Sequence, residues 1–301
     1  MRRCAMVRAK VFGVGLAVLL LTATALAQKP GWPKELVIAE VPVESAADYA
    51  SRYAPFLDYL KGRLGIPVRL FLGTDYTAVM LAQAQGQVHV AFYGPASYVD
   101  AIEKAKAPIE AFVKEDSIRS GLFYYSLMIS KKGSGIRTLQ DARGKDFAFV
   151  DPESTSGYKV PMAYFCLEAK IRPREYFSRV FFAGTHENVI LGVARGTIPV
   201  GVTWDTGISI AQAKGQIRGL EEFEVLWKSD PIPSSPWAYR KDLPQDLKDA
   251  LRKAFLEFKD TPQGAEWLKA RGLKGFAPAS DRDYDPFRKI NDALKRPECQ
   301  L

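Results

Sequence analysis

Residues 151–161 read Asp-Pro-Glu-Ser-Thr-Ser-Gly-Tyr-Lys-Val-Pro, and this stretch decides the class of fold. Three consecutive hydroxyl residues, Ser154, Thr155 and Ser156, stand immediately before Gly157. The apolar run Phe147–Val150 precedes them with a strand pattern, and Tyr158–Ala169 follows with a helix pattern. Strand, hydroxyl-rich turn and helix N-terminus in succession make a site for oxyanions. The first helical turn has unpaired N–H groups at the positive end of the helix dipole, and hydroxyls add donors of their own. One hydroxyl is enough for an N-cap. Three with a following Gly exceed that need.

The same alternation continues in both directions. Strand patterns occur at Leu36–Val41, Val68–Leu72, Val88–Tyr93, Ile109–Val113 and Leu122–Ile129, and again at Val180–Phe182, Val200–Thr203, Phe223–Trp227 and Trp237–Tyr239. Helix patterns occupy Asp48–Leu64, Asp75–Gln85, Ala96–Ala105, Glu187–Arg195, Thr206–Lys214, Leu247–Lys259, Gly264–Ala270 and Asp285–Leu294. Short strands interleaved with helices predict an α/β fold. Two segments read as crossings between lobes: the strand-like run Gly121–Ser130 and the proline-rich return Asp230–Trp237. If both cross, residues 28–125 plus 234–301 form one lobe and residues 126–233 the other. Ligands commonly bind between domains.

The chain begins with an export signal. Arg2, Arg3, Arg8 and Lys10 form a basic region, Val11–Thr24 is mostly apolar, and Ala25-Leu26-Ala27 fits a small-x-small cleavage site. Residues 1–27 are therefore expected to be removed, and the apolar run is short for a membrane span. The protein is expected to be exported and soluble, and periplasmic in a two-membrane bacterium. Without the four basic residues of 1–27 the formal net charge of +8 falls to +4. That surplus is spread along the chain and does not form a nucleic-acid patch. Two cysteines remain, Cys166 and Cys299. An oxidising compartment permits their pairing. Cys166 lies within the apolar pattern of a helix, and Cys299 lies in a tail expected to fray, so the sequence leans toward free thiols.

Four more strand-to-helix turns carry polar or aromatic residues. Tyr76 of Gly73-Thr-Asp-Tyr-Thr77 falls on the first turn of its helix, and either faces a ligand or packs. Tyr93 of Phe92-Tyr-Gly-Pro95 ends a strand, with the same two roles open. His186 of Gly184-Thr-His-Glu187 is one of two histidines and lies at a helix N-terminus, where it can donate to an anion. The other, His89, belongs to the sheet. Asp205 of Val202-Thr-Trp-Asp205 either caps the next helix or pairs with a ligand amine or proton.

Enzyme readings fare worse. Ser, His186 and Asp205 can be drawn as a triad, but the chain has no Gly-x-Ser-x-Gly elbow. His186-Glu187 begins like a zinc motif, yet Ile190 stands where the second His belongs. No Cys-x-x-Cys and no phosphate loop of the nucleotide-hydrolysing type are present. No cofactor, no metal and no catalysis are expected.

These turns, in this order, resemble a known family. Gly73–Met80, Val90–Ala101, Gly121–Ser130, Asp151–Pro161 and Ala183–Asp205 are similar to segments of the periplasmic phosphonate- and phosphite-binding proteins of ABC importers, the PhnD-like group. The resemblance implies a two-lobed, type II periplasmic-binding-protein fold that closes on a phosphorus oxyanion (phosphonate, phosphite or phosphate) and presents it to an inner-membrane ABC permease. It implies that Tyr76, Ser154, Thr155, Ser156 and His186 hold the phosphoryl group. A tyrosine of the first crossing joins them, Tyr124 with Tyr125 as the alternative; neighbouring strand residues face opposite ways, so one of the two faces the cleft. Members that bind aminoalkyl phosphonates use acidic residues for the amine; Asp205 falls near one such place and Asp230 near another. The Asp usual in this region is absent from Gly196-Thr-Ile-Pro199. A monomer is expected. Docking on a membrane sensor kinase, and a secreted phosphoester hydrolase using the Ser cluster, are the alternatives.

Overall fold

The computed structural model describes residues 29–301 and is a mixed α/β molecule built on two large sheets. The expected signal segment, 1–27, lies outside the described residues. Thirteen strands are present among the described residues. In chain order they are β1 Leu36–Glu40, β2 Val68–Leu72, β3 Val90–Phe92, β4 Ile109–Ser117, β5 Phe123–Tyr124, β6 Ser126–Lys131 and β7 Asp146–Phe149. There follow β8 Arg179–Phe182, β9 Val200–Trp204, β10 Phe223–Lys228, β11 Ile232–Pro233, β12 Pro236–Arg240 and β13 Leu273–Pro278.

The first sheet has the order β13-β4-β12-β3-β1-β2 and the second β10-β6-β9-β7-β8. Each contains a parallel trio, β2-β1-β3 in one and β8-β7-β9 in the other. Antiparallel strands complete each sheet. The middle strand of each trio is flanked by strands reached in opposite directions. Such a switch point opens a crevice at the carboxyl ends of the strands. β1, with the sequence Leu-Val-Ile-Ala-Glu, is buried along its whole length, as a strand covered on both faces must be.

Each half has its own aromatic packing. Phe56 lies among Trp237, Phe255, Phe258 and Trp267, with ring centroids 4.9–6.0 Å apart. Phe147 packs on Phe149, Phe165 and Phe177 at 4.9, 5.6 and 4.3 Å. The halves are joined through β5 and β11, which pair antiparallel, Tyr124 opposite Ile232, and through the C-terminal tail, which packs on the second half.

Three sequence expectations need correcting. The run Leu122–Ile129 is not one strand, because it breaks at Tyr125. There the backbone turns from β11 to bond Asp205, whose N–H reaches the Tyr125 carbonyl at 3.1 Å. β13 was not expected: Leu-Lys-Gly-Phe-Ala-Pro has no β-branched residue, and it forms by pairing with β4 after the left-handed Gly272. The cysteines are paired, Cys166 to Cys299, with Cα atoms 5.2 Å apart. The tail does not fray. Pro297–Cys299 forms a short helical turn, and Leu294 and Leu301 pack against the Phe147–Phe165 cluster.

Candidate anion-binding site

The two trios aim their carboxyl ends at one small cavity of about 10 Å³, room for about one water molecule. The first half lines it with Val41 and Val43 beyond β1, Tyr76, Phe92 and Gly94. The second half supplies Ser154, Thr155, Ser156, His186 and Trp204. The crossing segments add Tyr124 and Ser235.

The hydroxyl turn is built by its own backbone. Ser154 caps the helix at 155–168: its Oγ accepts from the Gly157 N–H at 3.0 Å. The first turn is wide, with the Lys159 N–H reaching the Ser154 carbonyl five residues back at 3.0 Å. Such widened turns recur at functional sites. Gly157 is required for close approach, since a Cβ there would stand 2.4 Å from Val150. Thr155 reaches across to the other half, where its Oγ1 accepts the Ala96 N–H at 2.9 Å. That N–H belongs to the first turn of the helix Pro95–Glu103. Ser156 is fixed through its carbonyl, which accepts from Ser126 Oγ at 2.6 Å.

His186 opens the helix His186–Arg195, whose N-cap is Thr185. Its Nε2 lies 3.3 Å from Ser154 Oγ and its Nδ1 lies 3.1 Å from Thr203 Oγ1. Burial drives its pKa down to about 3, so the ring is neutral at physiological pH and offers one donor and one acceptor. Burial also holds the Tyr76 phenol well above its usual range, reinforced by the Asp151 carboxylate and opposed by Ser154. Tyr124 is raised as well, by burial, with Ser156, Ser235 and Thr155 acting the other way. Both tyrosines therefore keep their protons and remain donors. Asp151, beside the cavity, is pushed up to about 6 by burial, while the backbone N–H groups of Glu153 and Tyr76 pull it down.

Lys159, the cation nearest the hydroxyls in sequence, does not serve the cavity. Its ammonium turns to Asp100 and to Glu153, the latter at 2.9 Å. The donors facing the cavity are neutral ones. Hydrogen bonds from such donors to an ionised oxygen are stronger than neutral pairs, and a dry cavity removes competing water.

Six of the eight residues singled out from sequence meet here: Tyr76, Tyr124, Ser154, Thr155, Ser156 and His186. Tyr93 does not. β3 ends with Phe92 facing the cavity, so Tyr93 points away and its hydroxyl donates to Gln83 Oε1 at 2.8 Å. Asp205 does not either: its Oδ1 accepts from the N–H groups of Tyr125 and Thr206 at 3.0 and 2.9 Å. It holds the helix Asp205–Ala213 against the crossing strand, and it leaves the drawn triad without a carboxylate, since His186 meets Thr203 instead. Asp230 is exposed. Tyr125 lies under Lys228, whose Nζ is 3.6 Å from the ring centroid. Sequence reasoning missed Gly94, Trp204 and Ser235. Ser235 sits in the proline-rich return read as a crossing, and Trp204 stands next to Asp205.

Residues 38–284 match the family described as periplasmic substrate-binding proteins of phosphonate ABC transporters. The phosphonates-binding periplasmic protein of Escherichia coli is 30% identical over 261 residues, 85% of this chain and 76% of that protein. The phosphate-import protein PhnD of Mycolicibacterium smegmatis is 28% identical over 287 residues, 90% of this chain and 89% of that one. The crystal structure of a binding protein component of a Pseudomonas aeruginosa phosphonate ABC transporter superposes with a TM-score of 0.80 at 26% identity, covering 87% of this chain and 86% of that one. PhnD1 of Prochlorococcus marinus, solved with methylphosphonate, shares the fold at a TM-score of 0.77 and 19% identity, with 87% and 99% covered. The chain belongs to the family of periplasmic substrate-binding proteins of phosphonate ABC transporters.

Proposed function

We propose that this protein captures a compact phosphorus oxyanion (phosphonate, phosphite or phosphate) between two lobes, 28–125 plus 234–301 and 126–233, and hands it to an inner-membrane ABC permease. It acts as a monomer and turns nothing over. Tyr76 and Tyr124 grip the phosphoryl oxygens from one side, and Ser154, Thr155, Ser156 and His186 from the other. Ligand binding draws the lobes together and shifts an open–closed equilibrium.

The observation that carries this reading is the convergence of neutral donors from both halves on one cavity at a helix N-terminus. The likeness to phosphonate- and phosphate-importing relatives supports the choice of phosphorus over other oxyanions. Against catalysis stands the Ser154–His186 pair itself: burial keeps the imidazole from protonating, and among the described residues its ring meets Ser154 and Thr203 and no carboxylate. Titration calorimetry with methylphosphonate, phosphite and phosphate tests the proposal. At least one is expected to bind, and at 100 times its dissociation constant should stabilise the protein by about 2.7 kcal/mol. No heat from any of the three at millimolar concentration refutes it.

A further inference from the structure

Lys159 is buried at 4% exposure, yet it faces away from the cavity that its own turn builds. Its ammonium bonds Asp100 and Glu153, and Lys104 Nζ lies 3.1 Å from Asp100 and 3.2 Å from Glu153. Asp100 and Lys104 come from the first half and Glu153 and Lys159 from the second. Two acids and two bases thus alternate across the junction. Asn291, on the helix Asp285–Ala293, adds a bond to Asp100 Oδ1 at 3.0 Å.

A second cluster spans the junction at His186. Glu187, the next residue, accepts from the Ser45 N–H at 2.7 Å and from Gln216 Nε2 at 2.8 Å, and its N–H donates to the Val43 carbonyl at 3.2 Å. Lys214 bridges Glu187 to Glu44 of the first half, 3.3 Å away. Each ligand turn therefore shares its chain with an ionic tie to the opposite half: Glu153 and Lys159 bracket Ser154–Ser156, and Glu187 follows His186.

We propose that these two clusters are closing latches, and that Lys159 and Glu187 are positioning residues that set anion affinity without touching the anion. This rests on the binding reading above. When the halves separate, the latch charges return to water. When they meet, the charges must be paired, because a buried charge without its partner is costly. A ligand whose competent state is partly populated binds more weakly by that fraction. Latches that favour closure therefore raise affinity, and they slow release rather than speed capture.

The test compares wild type with Lys159→Met, Glu187→Gln, Asp100→Asn and the double variant Asp100→Asn/Lys159→Met. Stopped-flow kinetics would use whichever of methylphosphonate, phosphite or phosphate the wild type binds. Small-angle scattering would be run on the ligand-free proteins. Each single change should raise the dissociation rate about tenfold with the association rate unchanged, and the double variant should lose less than the product of its singles. Ligand-free variants should show a larger radius of gyration. A purely structural role would lower the melting temperature and leave the release rate alone, which overturns the proposal, as does an unchanged radius. If the wild type binds none of the three anions the binding reading fails on its own, and scattering alone then decides the latches. Should Lys159→Met not fold, Lys214→Met on the more exposed flank carries the same prediction.

Discussion

Gly94→Ala is the sharpest probe of how the halves meet. Gly94 has φ −73° and ψ 158°, which alanine adopts freely, so its backbone does not need glycine. What needs glycine is space. A Cβ at 94 would stand 2.5 Å from Thr155 Oγ1 and 3.2 Å from Thr155 Cβ, both atoms of the opposite half. It would also disturb the bond from the Ala96 N–H to that same oxygen. Overpacking of this kind costs about 1–3 kcal/mol. At about 1.4 kcal/mol per decade, affinity falls by roughly 5-fold to 150-fold. The ligand-free protein can relieve the contact by opening, and glycine-to-alanine changes at compatible angles stabilise by about 0.4–1 kcal/mol through the unfolded chain. The expected result is therefore weaker anion binding by calorimetry, with a ligand-free melting temperature unchanged or slightly higher. Wild-type affinity would refute the reasoning. So would a melting temperature that falls in step with affinity, because the clash would then act on the fold and not on closure.

Other outcomes follow from the same geometry. Tyr124→Phe should weaken anion binding by about tenfold to a hundredfold, the worth of a hydrogen bond to a charged group. Tyr93→Phe, which loses only the bond to Gln83, should leave affinity unchanged and cost about 1 kcal/mol of stability in denaturant titration. His186 has a folded pKa depressed from 6.5 to about 3, so the unfolded chain takes up a proton first as pH falls. Its contribution to stability is full above pH 6.5 and is lost as pH drops toward 3, by up to about 1.4 kcal/mol per pH unit. His186→Gln should flatten the melting temperature over that window. Asp151 acts oppositely: raised from 3.8 to about 6, it favours the folded state at low pH, and that benefit disappears as pH rises through 6. Cys166→Ser releases a link across 133 residues and should cost up to about 5 kcal/mol by loop entropy, read by chemical denaturation.

The strand-to-helix turns were legible because their signals are local. Asp151–Gly157 needs only its own hydroxyls, cap and glycine to declare a helix N-terminus, and Thr185-His186 does the same. What escaped depends on contacts distant in sequence or on strand phase. β3 is buried on both faces, so alternation of polarity cannot say whether Phe92 or Tyr93 faces the cleft. Lys159 is the cation nearest the hydroxyls in sequence, and no local signal says that it pairs with Asp100, 59 residues away. Asp205 looks like a ligand group until the Tyr125 backbone, 80 residues earlier, takes its carboxylate. Ser235 reaches the cavity only because β11 pairs with β5. The pairing of Cys299 required the tail to be packed, and no periodicity in that segment announces it.

The bond between Cys166 and Cys299 makes the two crossings unequal toward a protease. A cut anywhere in 167–298, including the proline-rich return, leaves both pieces on one covalent molecule. They stay at high effective concentration for each other, and the mass on a non-reducing gel does not change. A cut at the first crossing, 121–125, lies outside that ring and severs the chain. A single nick there, as at any bond between Tyr76 and Ser154, separates the leading segment from the hydroxyl turn.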